Sequence, residues 1–144
     1  MLAQASALIC QAGRLIRSSS LYETAAWGNT DQPAFLNQVL LLETNLEPEP
    51  LLNALHHYEQ TLGRIRATTR WLQRTIDIDI LFFGHLVLHI PKLTIPHPEL
   101  DKRRFVLTPL AELAPGFIHP VSGKTMAQLL TECTDQLAVS KWPH

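Results

Sequence analysis

Apolar residues recur along this chain at two periods, one helical and one strand-like. Residues 2–12 carry the helical pattern, which Gly13 is placed to end. Residues 15–24 read as a strand, and residues 25–33 form a polar loop with Trp27, Gly28, Asn29 and Asp31. Residues 35–45 read as a second strand, densest at Val39, Leu40, Leu41 and Leu42. Pro48 and Pro50 open a helix in which Leu51, Leu52, Leu55, Tyr58 and Leu62 share a face, and Gly63 is expected to close it. A basic loop leads into a strict alternation over residues 75–83. Gly84 turns the chain toward a short return strand at 86–88, and residues 92–98 are too proline-rich to be helical. Helices follow at 104–114, before Pro115, and at 125–134. Helix, two strands, helix, strand is the core of an α+β domain with a mainly antiparallel sheet.

Within the alternating segment Ile76, Ile78 and Ile80 fall on one face, and Asp77 and Asp79 on the other. Aspartate is depleted in strands, so two on one face need a reason. Bare carboxylates that close repel, and a shared divalent cation removes that repulsion. Upstream, residues 63–74 contain Arg64, Arg66, Arg70 and Arg74 and no acid. Carboxylates on a strand beside an arginine-rich loop are the parts of a metal-assisted phosphoryl-transfer site. The blander readings are a solvated strand surface for the acids, and a charged surface or nonspecific RNA patch for the arginines, with Trp71 as a stacking platform.

Composition narrows this. The chain has 144 residues, long enough for one domain with a real core, and a formal net charge of −1, so nothing global suggests a nucleic-acid binder. Four of the twelve Lys and Arg residues lie in the basic loop, and Lys102, Arg103 and Arg104 make a second cluster, which implies a discrete anionic ligand. Cys10 and Cys133 form no disulfide framework or metal motif; both sit in apolar helical patterns and read as buried thiols in a reducing, cytoplasmic setting. The apolar start lacks a basic n-region and is broken by Gln4, Ser6 and Gln11, so it is no signal peptide, and no run is long enough to span a membrane. Seven histidines make no zinc signature, and no Gly-rich phosphate loop is present, so side chains and metal must hold any nucleotide's phosphates. Taken singly, His97 is a surface histidine, His56 and His57 are helix surface, and Phe35 and Phe105 are core.

Together and in order, these residues resemble the 6-hydroxymethyl-7,8-dihydropterin pyrophosphokinases of folate biosynthesis. The resemblance rests on Asp31-Gln32-Pro33-Ala34-Phe35-Leu36-Asn37, on Gly63-Arg64-Ile65-Arg66, on Arg70-Trp71 with Arg74-Thr75-Ile76-Asp77-Ile78-Asp79-Ile80-Leu81, and on Pro96-His97 with Arg103 and Phe105. It covers nearly the whole chain as a single domain, residues 1–144, with a ferredoxin-like αβ sandwich. It implies an ATP-dependent diphosphotransferase: the pterin hydroxymethyl oxygen attacks the β-phosphorus of ATP and AMP leaves. Asp77 and Asp79 are implied as ligands of two magnesium ions, and Arg64 and Arg74 as catalytic arginines. Arg66, Arg70 and Trp71 are implied as a lid on the nucleotide, with Glu59, His97 and Arg103 also at ATP. Thr24 and Asn37 are implied at the pterin, with Phe35 and Phe105 sandwiching its ring. A flat polar heteroaromatic ring suits two aromatic faces and an amide that both donates and accepts, and arginine's planar fork suits phosphate.

The sequence departs from the family pattern in places. Leu72-Gln73 stands where Gly-Pro is frequent, Ala67 at a position basic in some relatives, and Lys92 at one that can be arginine. The family's first apolar strand and its Gly-Ser-Asn turn are missing, and the expectation is that the true start lies upstream of Met1. In a ferredoxin-like sheet that strand lies between residues 35–45 and 75–83, so self-association through the gap, low solubility and weak activity are expected of the chain from Met1. The expected partners are ATP and 6-hydroxymethyl-7,8-dihydropterin, with no nucleic acid and no membrane. The rival readings are a catalytically impaired nucleotide-binding descendant or truncated product, and an RNA-binding ferredoxin-like module. The Asp-x-Asp pair argues against the last, because carboxylates repel the backbone that the arginines would attract.

Overall fold

The computed structural model describes residues 2–24, 35–67 and 76–142, and of residues 64–67 the helical backbone alone. The elements in order are α1 (Leu2–Ile9), β1 (Arg14–Ser18), β2 (Leu21–Thr24), β3 (Phe35–Asn37), β4 (Leu40–Glu43), α2 (Pro48–Ala67), β5 (Leu88–Ile90), β6 (Leu93–Ile95), a 3-10 turn (Leu100–Lys102), α3 (Arg104–Leu113), α4 (Met126–Glu132) and β7 (Val139–Trp142). Every strand pair is antiparallel: β1 with β4, β2 with both β3 and β7, and β5 with β6. The architecture is α+β and ferredoxin-like, as expected.

Each long strand expected at 15–24 and 35–45 is split in two, and side chains are the reason. Ser19 Oγ accepts the Val39 N–H at 2.9 Å, and Gln38 Nε2 donates to the Ser19 carbonyl at 2.9 Å. Ser20 turns away, its N–H and hydroxyl donating to Glu112 at 2.8 and 2.7 Å. Such local bonds compete with the backbone ladder and interrupt it. Gly13 fits its site through size: a Cβ there would lie 2.2 Å from the Glu43 carbonyl oxygen.

Four further expectations are corrected. α2 does not stop at Gly63 but runs to Ala67, since Gly63 lacks the positive φ of a helix-ending turn and good helix formers follow it. β7 was not anticipated; it is a short edge strand on β2 with two apolar residues in four. The return strand expected at 86–88 falls at β5 and pairs with β6, inside the segment read as non-helical. Cys10 is exposed in the turn after α1, and Cys133 is only half-buried at the end of α4.

The core has two parts. α1 and α2 supply Ile9, Leu51, Leu52, Leu55 and Tyr58, which pack with Ile80, Leu93 and Ile95. α3 and α4 supply Leu107, Leu110, Met126 and Leu129, which pack with Leu100. Residues 76–83 run between them: Ile78 and Ile80 belong to the first cluster, and Leu81 and Phe82 pack on the second. β4 and its lead-in behave alike, with Leu40 and Leu42 on the first cluster and Val39 on the second. Residues 76–82 were expected as a strand, yet they pair with no other strand among the described residues. Across from them lies the open edge of β4, and between the two runs a slot of about 550 Å³.

Candidate active site

The expected alternation holds at the acidic segment. Ile76 and Ile78 are half-buried and Ile80 is buried, while Asp77 and Asp79 are exposed. Hydrophobic burial of the isoleucines therefore aims both carboxylates outward without a ladder. Two contacts fix the segment's backbone. Glu59, on α2, accepts the Ile78 N–H at 2.6 Å, between the two aspartates. The His97 N–H donates to the Leu81 carbonyl at 2.9 Å. His97 is itself ordered by accepting the Glu99 N–H on Nδ1 at 3.1 Å. Three positions assigned to the nucleotide end thus converge: Glu59, the aspartate pair and His97.

The pterin-assigned residues meet on a second surface. β2 and β3 pair so that Thr24 lies opposite Phe35, and Tyr22 opposite Asn37. Directly opposed residues and alternate residues share a face, so all four side chains project to the same side. That side faces α3. Ser20 and Tyr22 both hydrogen-bond Glu112 of α3, and Lys141 of β7 lies 3.7 Å from its carboxylate. Burial and then the neighbouring Glu112 push the Tyr22 hydroxyl above its ordinary value. Desolvation acts to raise the Glu112 carboxyl, but bonds from Ser20 and Tyr22 and the Lys141 charge outweigh it and hold the group low. Phe105 is seven residues before Glu112 on the same helix, and residues two turns apart share a helix face. Phe105 therefore lies on the side that Glu112 turns to β2, and it is half-buried. Arg103 places its guanidinium 5.8 Å from the Phe105 ring centre.

One polar atom on this face stands out. Thr24 is 2% exposed, and its hydroxyl has no hydrogen-bond partner among the described residues. A buried hydroxyl left unpaired is costly, and such atoms call for an explanation such as a ligand or water. Phe35 opposite it is 46% exposed. Asp77 and Asp79 share the parity of Leu81, which packs on the α3 and α4 cluster, and both stay exposed.

Other expectations fall elsewhere. Arg64 and Arg66 sit on the last turn of α2, with side chains outside the described residues. Arg70, Trp71 and Arg74 lie wholly outside them. Tyr22 was not singled out from the sequence, although its spacing from Thr24 places it on the same face; Glu112 had no local signal. Arg104, adjacent to Arg103, ties α3 to the chain after α4: its Nε donates to the Asp135 carbonyl and an Nη to the Cys133 carbonyl.

The donor chemistry of Asp77 and Asp79 fits magnesium. They offer hard carboxylate oxygens, and magnesium binds through one or two carboxylates while phosphates and water complete its shell. Among the described residues no group of three or more His, Cys, Asp or Glu side chains forms a protein-only metal cage.

Comparison with known proteins completes the picture. The family model for 7,8-dihydro-6-hydroxymethylpterin-pyrophosphokinase matches residues 1–115. A 2-amino-4-hydroxy-6-hydroxymethyldihydropteridine pyrophosphokinase of Synechocystis is 46% identical over 127 residues, covering 88% of this chain and 63% of the relative. The protein of that name from Pseudomonas aeruginosa is 46% identical over 120 residues, covering 83% of this chain and 73% of the relative. The folic acid synthesis protein fol1 of Pneumocystis carinii is 38% identical over 122 residues, covering 85% of this chain but 16% of that longer protein. The chain thus spans under two thirds of the Synechocystis relative's length. With a match over most of its residues, the chain belongs to the 7,8-dihydro-6-hydroxymethylpterin-pyrophosphokinase family.

Proposed function

We propose that this protein transfers diphosphate from ATP to the hydroxymethyl group of 6-hydroxymethyl-7,8-dihydropterin, giving AMP and the pterin diphosphate. The observation that carries the reading is the convergence of Glu59 and His97 on the backbone that presents Asp77 and Asp79. It builds one acidic edge at the end assigned to the triphosphate. Asp77 and Asp79 would hold two magnesium ions, which when bound neutralise phosphate charge. Arg103 lies beside Phe105, so phosphate contact and ring stacking come from adjacent residues. Arg64 and Arg74 act on the transferring group, and Arg66, Arg70 and Trp71 cover the nucleotide.

At the other end, the pterin ring stacks between Phe35 and Phe105. Asn37 reads its edge with one donor and one acceptor group, and the unpaired Thr24 hydroxyl gains a polar neighbour. The chain's residues thereby align the hydroxymethyl oxygen with the β-phosphorus, and proximity with charge neutralisation supplies the acceleration. No covalent protein intermediate is required. The test is nucleotide analysis by chromatography. AMP should accumulate only when ATP, the pterin alcohol and magnesium are all present. AMP formed without the pterin, or ADP formed with it, would contradict the reading.

A further inference from the structure

Tyr22 and Glu112 have no part in the chemistry proposed above, yet they join the two elements that carry the pterin-assigned residues. Thr24, Phe35 and Asn37 lie on the β3–β2–β7 sheet, and Phe105 lies on α3. α3 lies against β2 and β7. β3 pairs with β2 and with no other strand among the described residues, so Phe35 and Asn37 inherit their position from β2. Neither core cluster takes a residue from β2, β3 or β7 among the described residues. The sheet is thus docked on α3 by the buried Tyr22 ring and by polar bonds, not by a shared apolar cluster.

Those bonds meet at one carboxylate. Glu112 accepts the Ser20 N–H at 2.8 Å, the Ser20 hydroxyl at 2.7 Å and the Tyr22 hydroxyl, and Lys141 of β7 lies 3.7 Å away. Hydrogen bonds to an ionised acceptor are about twice as strong as neutral ones. Tyr22 is 5% exposed, so removal of Glu112 leaves a largely covered hydroxyl short of a partner. A second tether sits at the other end of α3. Asp135, in the chain leading into β7, accepts the Arg104 backbone N–H at 3.0 Å, and its carbonyl accepts from Arg104 Nε at 2.9 Å. That tether adjoins Phe105 and does not involve β2, so losing the Glu112 bonds frees β2 while the Phe105 end of α3 stays attached. A ring held between two aromatic faces needs contact on both sides, roughly 7–8 Å from face to face. A gap of about 0.5–1 Å forfeits roughly a quarter to a half of each contact. Such an aperture requires a fixed distance between sheet and helix.

We propose that Glu112, through Ser20 and Tyr22, is the positioning residue that sets the spacing between the Phe35 and Phe105 faces. It governs pterin affinity without touching pterin or ATP. The placing of a pterin ring between those faces rests on the function proposed above; the docking of the sheet on α3 by Glu112 does not.

The experiment compares Glu112→Ala, Glu112→Gln and Tyr22→Phe with the unmodified protein. Leu129→Ala is the control, since it opens a cavity in the α3–α4 cluster and lowers stability without touching the sheet. Steady-state AMP release gives kcat and both KM values. Calorimetry gives the affinity for 6-hydroxymethyl-7,8-dihydropterin in the presence of magnesium and a non-hydrolysable ATP analogue. Hydrogen exchange reads residues 21–24 and 35–37. Glu112→Ala should weaken pterin binding and raise its KM about tenfold or more, the scale of one lost bond to a charged group. The ATP KM and kcat should change far less, and the β2 and β3 amides should exchange faster. Tyr22→Phe should fall between Glu112→Ala and the unmodified protein. Glu112→Gln keeps an acceptor for Ser20 and Tyr22 and should recover most of the pterin affinity. Leu129→Ala should melt earlier with pterin affinity intact. Equal losses for pterin and ATP would overturn the proposal, as would a Leu129→Ala defect of the same size or a Glu112→Gln no better than Glu112→Ala. If affinity and exchange follow the expected pattern while no AMP forms under any condition, the clamp stands and the transfer reading falls. If AMP forms and Glu112→Ala keeps the unmodified pterin KM, the transfer reading stands and the clamp falls.

Discussion

Asp77 and Asp79 differ from ordinary surface acids in what holds the backbone between them. Ile78 is anchored twice, by its side chain in the core and by its N–H on Glu59. Asp77→Asn or Asp79→Asn should therefore keep the fold while lowering turnover at least ~100-fold, the scale of losing a major electrostatic stabiliser. Steady-state AMP release together with a circular dichroism melt checks both halves; near-normal magnesium-dependent turnover would refute the assignment. Asn37 belongs to the other ligand. Asn37→Ala should weaken pterin binding by ~1–3 kcal/mol, the cost of polar groups left unmatched, and spare nucleotide binding. Calorimetry with each ligand separately distinguishes this from a structural role, in which both affinities would fall equally. The acidic pair was legible in the sequence because alternation and residue chemistry are local. The Tyr22–Glu112 pair was not, because Glu112 lies ninety residues away, a distance that no local pattern spans.

At the scale of elements, helices were read better than strands. The 3.6-residue face of α2 is carried by its own leucines, so its existence needed no tertiary knowledge. Its end did. Gly63 looked like a terminator, yet the helix continues, and a Cβ placed on Gly63 meets nothing within 4 Å. Gly63→Ala should accordingly stabilise the protein by about 0.5–1 kcal/mol, since glycine within a helix carries an entropic cost that alanine avoids. Urea denaturation reads this directly. A loss of stability would instead place the helix end at Gly63. The strands were harder because their breaks depend on partners: Ser19 accepts from Gln38 and Val39 across a pair that neither segment reveals alone. Among the described residues the acidic segment carries a strand's sequence pattern without a strand's pairing, because the alternation is local and pairing is not.

For the whole molecule, three groups link stability to pH in one direction. His119 is buried against the Phe82 ring, its Nδ1 accepts the Val121 and Ser122 N–H groups at 3.1 and 3.2 Å, and desolvation lowers its pKa despite the nearby Asp101 charge. Asp135 is held low by the Leu137 and Arg104 backbone N–H groups, and Glu112 by the bonds described above. All three favour their deprotonated forms in the fold, so the unfolded chain binds more protons and stability rises with pH. The His119 contribution is complete above its ordinary value of 6.5 and is lost as pH falls from there through its lower folded value. The carboxylate contributions persist to lower pH and are lost as pH falls through their depressed values. Thermal melts should therefore be flat between pH 7 and about 9, below the ordinary tyrosine value of 10.0 from which the raised Tyr22 loses its contribution, and decline below 6.5. His119→Asn, which keeps an acceptor in place of Nδ1, should remove the earliest part of that decline; an unchanged profile would show that His119 does not drive it.

The central claim is diphosphate transfer between two ligand surfaces, and oxygen labelling tests it most directly. The pterin alcohol carrying ¹⁸O in its hydroxymethyl group is incubated with ATP, magnesium and the protein, and the products are weighed by mass spectrometry. The account predicts one AMP per pterin diphosphate, with the label retained in the bridge between carbon and phosphorus and absent from AMP. A pterin monophosphate with ADP, or label lost from the pterin product, would contradict it.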